Sequence, residues 1–236
     1  MPPRRHWMNR QTDMAQQLGL ALPSRTALGR EDFFIAPSNA IAAAMIDGWQ
    51  TWAGGKLILT GPQGAGKTHL VHVWANLANA RIIDANMLET ADIPRLCQSN
   101  LAVENVPDIA GQDRAETALF HLHNLLLAEG HSLLLTGTAP ISGWNLRLPD
   151  LTSRMRASPT AALEAPDDVL LTAVLVKLLA DRQLTPKPDL IPYLLPRMHR
   201  SFAAAGNLVA ALDKASLAQK KPVTRGLAAQ VLDKYV

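Results

Sequence analysis

From Glu31 onward the chain alternates short apolar runs with longer segments of helical period. Leu57-Ile58-Leu59-Thr60, Ile82-Ile83, Leu101-Ala102-Val103 and Leu133-Leu134-Leu135 show no polar alternation, which is the pattern of strands covered on both faces. Between them lie segments that predict helices: Ile41, Met45 and Trp49 at fourfold spacing behind Ser38 as N-cap, then Thr68 to Asn79, and a long helix from Arg114 to Glu129. Phe33 to Ala36 predicts one more short strand. Buried strands separated by helices imply an α/β class with a parallel sheet. After Pro166 the strand signals stop. A helix capped by Asp167 or Asp168 runs through Ala180, and weaker helical patterns follow over 190–197, 202–217 and 224–235, broken at Pro186, Pro188 and Pro222. The expected organisation is an α/β domain over 31–165 followed by a small all-α domain over 166–236.

The first thirty residues have no sustained period and carry Pro2, Pro3, Gly19, Pro23 and Gly29, so residues 1–30 read as a flexible arm. Within it, Gln17-Leu18-Gly19-Leu20-Ala21-Leu22 sets three leucines at alternate positions, on one side of an extended chain. A length of 236 residues suits one α/β domain with a small companion, and 48% apolar with 5% aromatic residues means an aliphatic core. The single cysteine, Cys97, excludes an internal disulfide framework and any Cys-based structural zinc site, and it suits a reducing compartment such as the cytoplasm. No export signal or membrane-spanning run is visible. The net charge of +3 is unevenly placed: +4 in residues 1–30, −5 in 31–164 and +4 in 165–236. An acidic middle weakens any argument from overall basicity to a DNA-reading core.

Gly61-Pro62-Gln63-Gly64-Ala65-Gly66-Lys67-Thr68 has the Walker A spacing, with a predicted strand before it and a predicted helix after it. Glycines let the backbone curl so that successive N–H groups face phosphate oxygens, and the helix N-terminus adds positive potential. Gly61, Gln63, Gly64, Ala65, Gly66, Lys67 and Thr68 are therefore the candidate phosphate-binding residues. Lys67 would reach the β- and γ-phosphates and the Thr68 hydroxyl would hold Mg²⁺. The alternative is a glycine turn that merely joins strand to helix.

Together with the helical C-terminal segment, these residues resemble an AAA+ module, and within that class the DnaA family of bacterial replication initiators and its shorter DnaA-related regulators. Four stretches carry the resemblance: Asp32-Phe33-Phe34-Ile35-Ala36-Pro37-Ser38-Asn39, the phosphate loop, Leu101 to Asp108, and Leu148-Pro149-Asp150-Leu151-Thr152-Ser153-Arg154. The resemblance implies ATP or ADP with Mg²⁺ as ligand, Asn39 beside the adenine, Glu104 as the Walker B acid on Mg²⁺, and Thr138 at the first sensor position. It also implies Arg154 as an arginine finger acting on a neighbour's ATP; an ordinary solvated arginine is the alternative. Two departures stand out. Asn105 occupies the place of a second carboxylate, and an amide cannot accept a proton from water. Gly206 falls at the position of the lid arginine that senses nucleotide, leaving Asn207, Arg197 or Arg200 to compensate.

Gln17, Leu18, Leu20 and Leu22 resemble the short peptide by which bacterial proteins dock on the DNA sliding clamp; folding back on the chain's own surface is the alternative. The resemblance thus implies a regulator that docks on the clamp and promotes hydrolysis of DnaA-bound ATP, with little turnover of its own and with a homo-oligomer as a further assembly. Two other readings stay open: a self-hydrolysing ATPase that loads or remodels a replication factor, and a nucleotide-gated scaffold. His69 with His72, and His121 with His123, lack convergent partners for zinc. Ser142 and Ser153 lack a nucleophile elbow. With the lid reaching Val236, no helix-turn-helix module and no sequence-specific DNA binding are expected.

Overall fold

A computed structural model describes residues 33–233. Its centre is a five-stranded, all-parallel sheet made of β1 (Lys56–Thr60), β2 (Arg81–Asp84), β3 (Leu101–Glu104), β4 (Leu133–Gly137) and β5 (Thr160–Ala162), in the order β2-β3-β4-β1-β5. The helices of this half are α1 (Ala40–Asp47), α2 (Lys67–Ala78), α3 (Ile93–Leu96), α4 (Asp113–Ala128) and α5 (Pro149–Arg156). Beyond them come only helices: α6 (Asp168–Asp181), α7 (Leu190–Leu194), α8 (Phe202–Gln219) and α9 (Arg225–Leu232).

Strand side chains alternate between faces, so one short apolar run feeds two cores. Ile58, Val103, Leu133 and Leu135 pack with Leu119, Leu122 and Leu126 of α4 and with Leu151 and Met155 of α5. Leu57, Leu59, Ala102 and Leu134 face the other way, onto Ala42 and Ile46 of α1 and Leu70 and Trp74 of α2. Trp52 stacks on Trp74 at 5.3 Å, closing that side. A third core lies wholly among the C-terminal helices, around Leu175, Leu190, Leu194, Leu208, Leu212 and Val231.

One buried polar group organises the region before α5. Glu116 of α4 is 1% exposed, and its carboxylate accepts from the backbone N–H groups of Gly111 (2.7 Å), Arg147 (2.9 Å) and Leu148 (2.7 Å). It thereby ties α4 to the two residues that lead into α5.

Two expectations need correction, and one strand is new. Phe33 to Ala36 is not a strand: the Asn39 side chain accepts from Ala36 N–H at 2.9 Å and donates to Phe34 O at 2.8 Å, satisfying backbone groups that a strand would pair across a ladder. Ser38 does not cap α1; Asn39 holds that position, and Ser38 Oγ is buried without a hydrogen-bond partner. The edge strand β5 went unpredicted because Thr160-Ala161-Ala162 is three residues long and carries no apolar run. The Gln17 to Leu22 motif lies outside the described residues. Among the described residues, no helix is long and apolar enough to cross a membrane.

Candidate phosphate-binding site

In a parallel sheet the C-terminal ends of all strands share one edge, and there the candidate residues converge. β1 runs out of Thr60 into the loop and α2 begins at Lys67. Gly64 and Gly66 hold φ of 78° and 97°, the left-handed region where a side chain is strained. A Cβ on Gly64 would stand 2.4 Å from Ser201 Cβ, and one on Gly66 would stand 2.7 Å from the Phe202 ring. These glycines thus serve twice: they curl the loop and they admit the N-terminus of α8. Phe202 N–H donates to Gly64 O at 3.2 Å.

Lys67 is folded over the loop, its Nζ donating to Gly61 O at 2.7 Å and Pro62 O at 2.9 Å. Burial lowers its pKa below the ordinary lysine value, and the Glu104 charge opposes that fall. The Thr68 hydroxyl donates to Glu104 Oε1 at 2.7 Å, so an oxygen from the first turn of α2 and one from the end of β3 stand side by side. Asn105, the next residue, has φ 59°; its backbone N–H donates to Thr136 Oγ1 at 3.1 Å and its Nδ2 to Asp84 Oδ2 at 2.8 Å. Asp84 closes β2 in register with Glu104. Burial works to raise the Asp84 pKa, but hydrogen bonds from Asn105 and from the backbone and side chain of Asn86 outweigh it and hold the carboxyl below its usual range.

These groups surround a cavity of about 620 Å³ lined by Gln63, Gly64, Gly66, Lys67, Thr68, His69, Glu104, Asn105, Asp108, Thr136, Thr138 and Phe202. Gly61 and Ala65 shape the loop without lining the cavity. The donor set suits a polyphosphate with a hard divalent cation: backbone N–H groups at a helix N-terminus, an ammonium, and a hydroxyl paired with a carboxylate. Asp84, Thr136, His69, Asp108 and Phe202 were not among the sequence candidates. Asp84 was legible only as the polar residue ending the Ile82-Ile83 run. Nothing in the sequence marks Phe202.

The remaining candidates lie elsewhere. Asn39 does not line the cavity; its amide is engaged by Ala36 and Phe34. A Cβ on Gly206 would meet nothing within 4 Å, one turn beyond the α8 residues that touch the loop. Arg200 pairs with Asp168 at 2.7 Å, and the Arg197 guanidinium lies 4.2 Å from the Tyr193 ring centroid. Arg154 is exposed on α5, its carbonyl accepting from Ser158 Oγ at 2.8 Å, and it makes no ion pair among the described residues. It lies within electrostatic reach of Lys56, the first residue of β1, and of His123, and its charge contributes to lowering the pKa of both. Lys56 and the phosphate loop stand at opposite ends of β1, so Arg154 faces away from this chain's own cavity.

Comparison with solved structures places this arrangement. Domain III of the Thermotoga maritima replication initiation protein DnaA superposes with a TM-score of 0.78 over 91% of this chain and 99% of that one, at 18% identity. The fold is that of a DnaA-like AAA+ module. AMPPCP-bound DnaA from Aquifex aeolicus gives 0.68 over 79% of this chain and 64% of that one, at 19% identity. A Thermotoga maritima RuvB variant gives 0.63 over 83% and 68%, at 12% identity. In sequence, an uncharacterized protein of Haemophilus influenzae is 28% identical over 183 residues, covering 73% of this chain and 79% of that protein. No protein-family model matches the sequence. In this chain β1 runs into the glycine loop, β3 ends at Glu104, and α6 to α9 form the helical C-terminal region.

Proposed function

We propose that the chain is an Hda-like regulator of replication initiation. It binds ADP or ATP with Mg²⁺ in its own cavity, docks on the DNA sliding clamp through Gln17 to Leu22, and offers Arg154 to ATP held by DnaA. In this reading residues 1–30 are the docking arm, 31–165 the nucleotide-binding domain and 166–236 the lid. Within the cavity, loop N–H groups and Lys67 hold the phosphates, while Thr68 and Glu104 hold the cation, whose role is to neutralise phosphate charge.

The observation that carries the proposal is the placement of Arg154. An exposed guanidinium without an acidic partner among the described residues, near the end of β1 opposite its own phosphate loop, is remote from its own nucleotide and available to a neighbour's. Arginines of that kind stabilise charge on the transferred phosphoryl group and contribute ~10³–10⁵ in rate. Clamp docking is supported by the leucine spacing of the arm, each buried leucine contributing ~1.5–3 kcal/mol before ordering costs.

The deciding assay measures hydrolysis of DnaA-bound ATP with clamp loaded on DNA. Adding the protein is expected to raise the rate, and Arg154→Ala to abolish the increase while clamp binding persists. No stimulation by the intact protein sinks the proposal. A self-hydrolysing ATPase draws support from the complete Lys67, Thr68 and Glu104 set; turnover by the purified protein alone, lost in Lys67→Ala, favours it.

A further inference from the structure

Away from the sheet and its cavity, positive charge gathers at one end of the C-terminal helices. Residues 165–236 hold 10 Lys and Arg against 6 Asp and Glu. Most of the acids are engaged elsewhere: the Asp167 side chain caps α6, and Asp168, Asp181 and Asp213 pair with Arg200, Lys177 and Arg182. The Arg197 guanidinium, just past α7, lies 4.2 Å from the Tyr193 ring centroid, and that of Arg225, which opens α9, lies 4.9 Å from the same centroid. Arg197 also donates to Tyr193 O at 3.0 Å. Asp189, immediately before α7, stands 3.8 Å from Arg225 and is the acid this group holds. Lys220 and Lys221 occupy the short turn from α8 into α9, and Lys187 the turn that opens α7, its carbonyl accepting from Leu190 N–H at 3.0 Å. All five cations are exposed, and among the described residues Lys187, Arg197, Lys220 and Lys221 make no ion pair.

Like charges repel, so the fold gains nothing from gathering these cations. The Tyr193 ring holds two guanidiniums in place, and each has more N–H donors than the contacts within the chain use. The group has no part in the nucleotide cavity. Phe202, the first residue of α8, touches the phosphate loop, whereas Lys220 ends that helix 18 residues later, about 27 Å along its axis. An open surface with several separate cations suits a polymer of phosphates, since duplex DNA presents one charge per about 1.7 Å and each phosphate neutralised releases condensed counter-ions. We infer that Lys187, Arg197, Lys220, Lys221 and Arg225 form a contact surface for the phosphate backbone of duplex DNA, binding it without regard to sequence. Phosphate contacts of this kind hold a protein on a duplex and read no bases. The inference needs neither the nucleotide nor Arg154; beside the docking arm, it gives the chain a second hold on DNA that carries a clamp.

The test measures anisotropy of short fluorescent duplexes of two unrelated sequences with the full-length protein, from ~50 to ~200 mM salt, and thermal unfolding of every variant. Wild type is expected to bind both duplexes alike, log affinity falling against log salt with a slope of about −3 to −4. Lys187→Gln/Lys220→Gln/Lys221→Gln is expected to bind at least about tenfold more weakly at the lowest salt, with a slope shallower by about 2–3. Arg197→Gln/Arg225→Gln is expected to flatten the slope by about 2. Arg4→Gln/Arg5→Gln/Arg10→Gln, which takes charge from the arm instead, is expected to keep the wild-type slope. If wild type binds neither duplex, or if the arm variant loses binding that the folded lysine variant keeps, the inference is overturned. Binding to polyglutamate or to phosphatidylglycerol vesicles without binding to duplex overturns it too, in favour of an acidic protein or a membrane. Should the arginine variant unfold for want of the Tyr193 contacts, the lysine variant decides, because its three side chains make no hydrogen bond or ion pair among the described residues. No readout uses nucleotide, clamp or DnaA, so failure of the proposed function leaves this result standing, and the reverse.

Discussion

Lys67 illustrates how a loop can hold a single side chain in place. Its ammonium is 2.7 and 2.9 Å from two loop carbonyls, already desolvated and aimed along the loop. Lys67→Ala removes a charge-assisted contact to phosphate of about 1.5–3 kcal/mol, so nucleotide affinity is expected to fall ~10–100-fold in a fluorescence titration. His123 makes a prediction in pH. It is 1% exposed, its ring nitrogens meet Lys56 Nζ at 3.1 Å and Asn124 Oδ1 at 3.2 Å, and its pKa is lowered to about 4 by burial, then by the Lys56 charge. The unfolded chain therefore binds the proton first. The His123 contribution to stability is expected to be full above pH ~6.5, to fall as pH drops from there toward about 4, and to level off below, a loss on the order of 3 kcal/mol. Urea midpoints between pH 7.5 and 4 are expected to show a flatter profile in His123→Gln. Both residues were visible in the sequence, but only Lys67 announced a role; His123 gained its meaning from a lysine 67 positions away.

Among the elements, those whose sequence carries a strong local signal were legible, and those formed by their neighbours were not. β1, β3 and β4 are apolar runs buried on both faces, and α2 and α4 carry clean helical periods. β5 exists because Thr160 to Ala162 lies beside Ile58 to Thr60, a register that no local pattern encodes. The same holds within the site: Thr68 followed from the motif and Glu104 from the family resemblance, whereas Asp84 arrived through strand register and Phe202 through the docking of α8. Two element-scale predictions follow from side chains that hold elements in place. Gly66→Ala places a Cβ in the left-handed region and against the Phe202 ring, and is expected to cost about 1–2 kcal/mol by chemical denaturation before any ligand is added. Glu116→Ala leaves three part-buried backbone N–H groups at Gly111, Arg147 and Leu148 without their acceptor, at about 1 kcal/mol each where water reaches them. Because those groups lead into α5, hydrogen exchange is expected to rise across residues 147–156 in that variant.

On the scale of the molecule, two cores share the sheet and a third belongs to the helices after it. Charge follows a related division, with an acidic middle between basic ends. The third core meets the phosphate loop where Ser201 and Phe202 lie against Gly64 and Gly66. That contact bears on how many cooperative units the chain contains. With the contact intact, calorimetry is expected to give a single transition; in Phe202→Ala the C-terminal helices are expected to melt first, as a separate event. Saturating nucleotide, which adds about 2.7 kcal/mol at a hundredfold excess over Kd, then raises only the later transition in the variant but the whole transition in wild type. Two glycines small enough to let a helix end reach a loop thus determine whether binding energy gained at one end of the sheet is felt by every residue of the fold or by half of it.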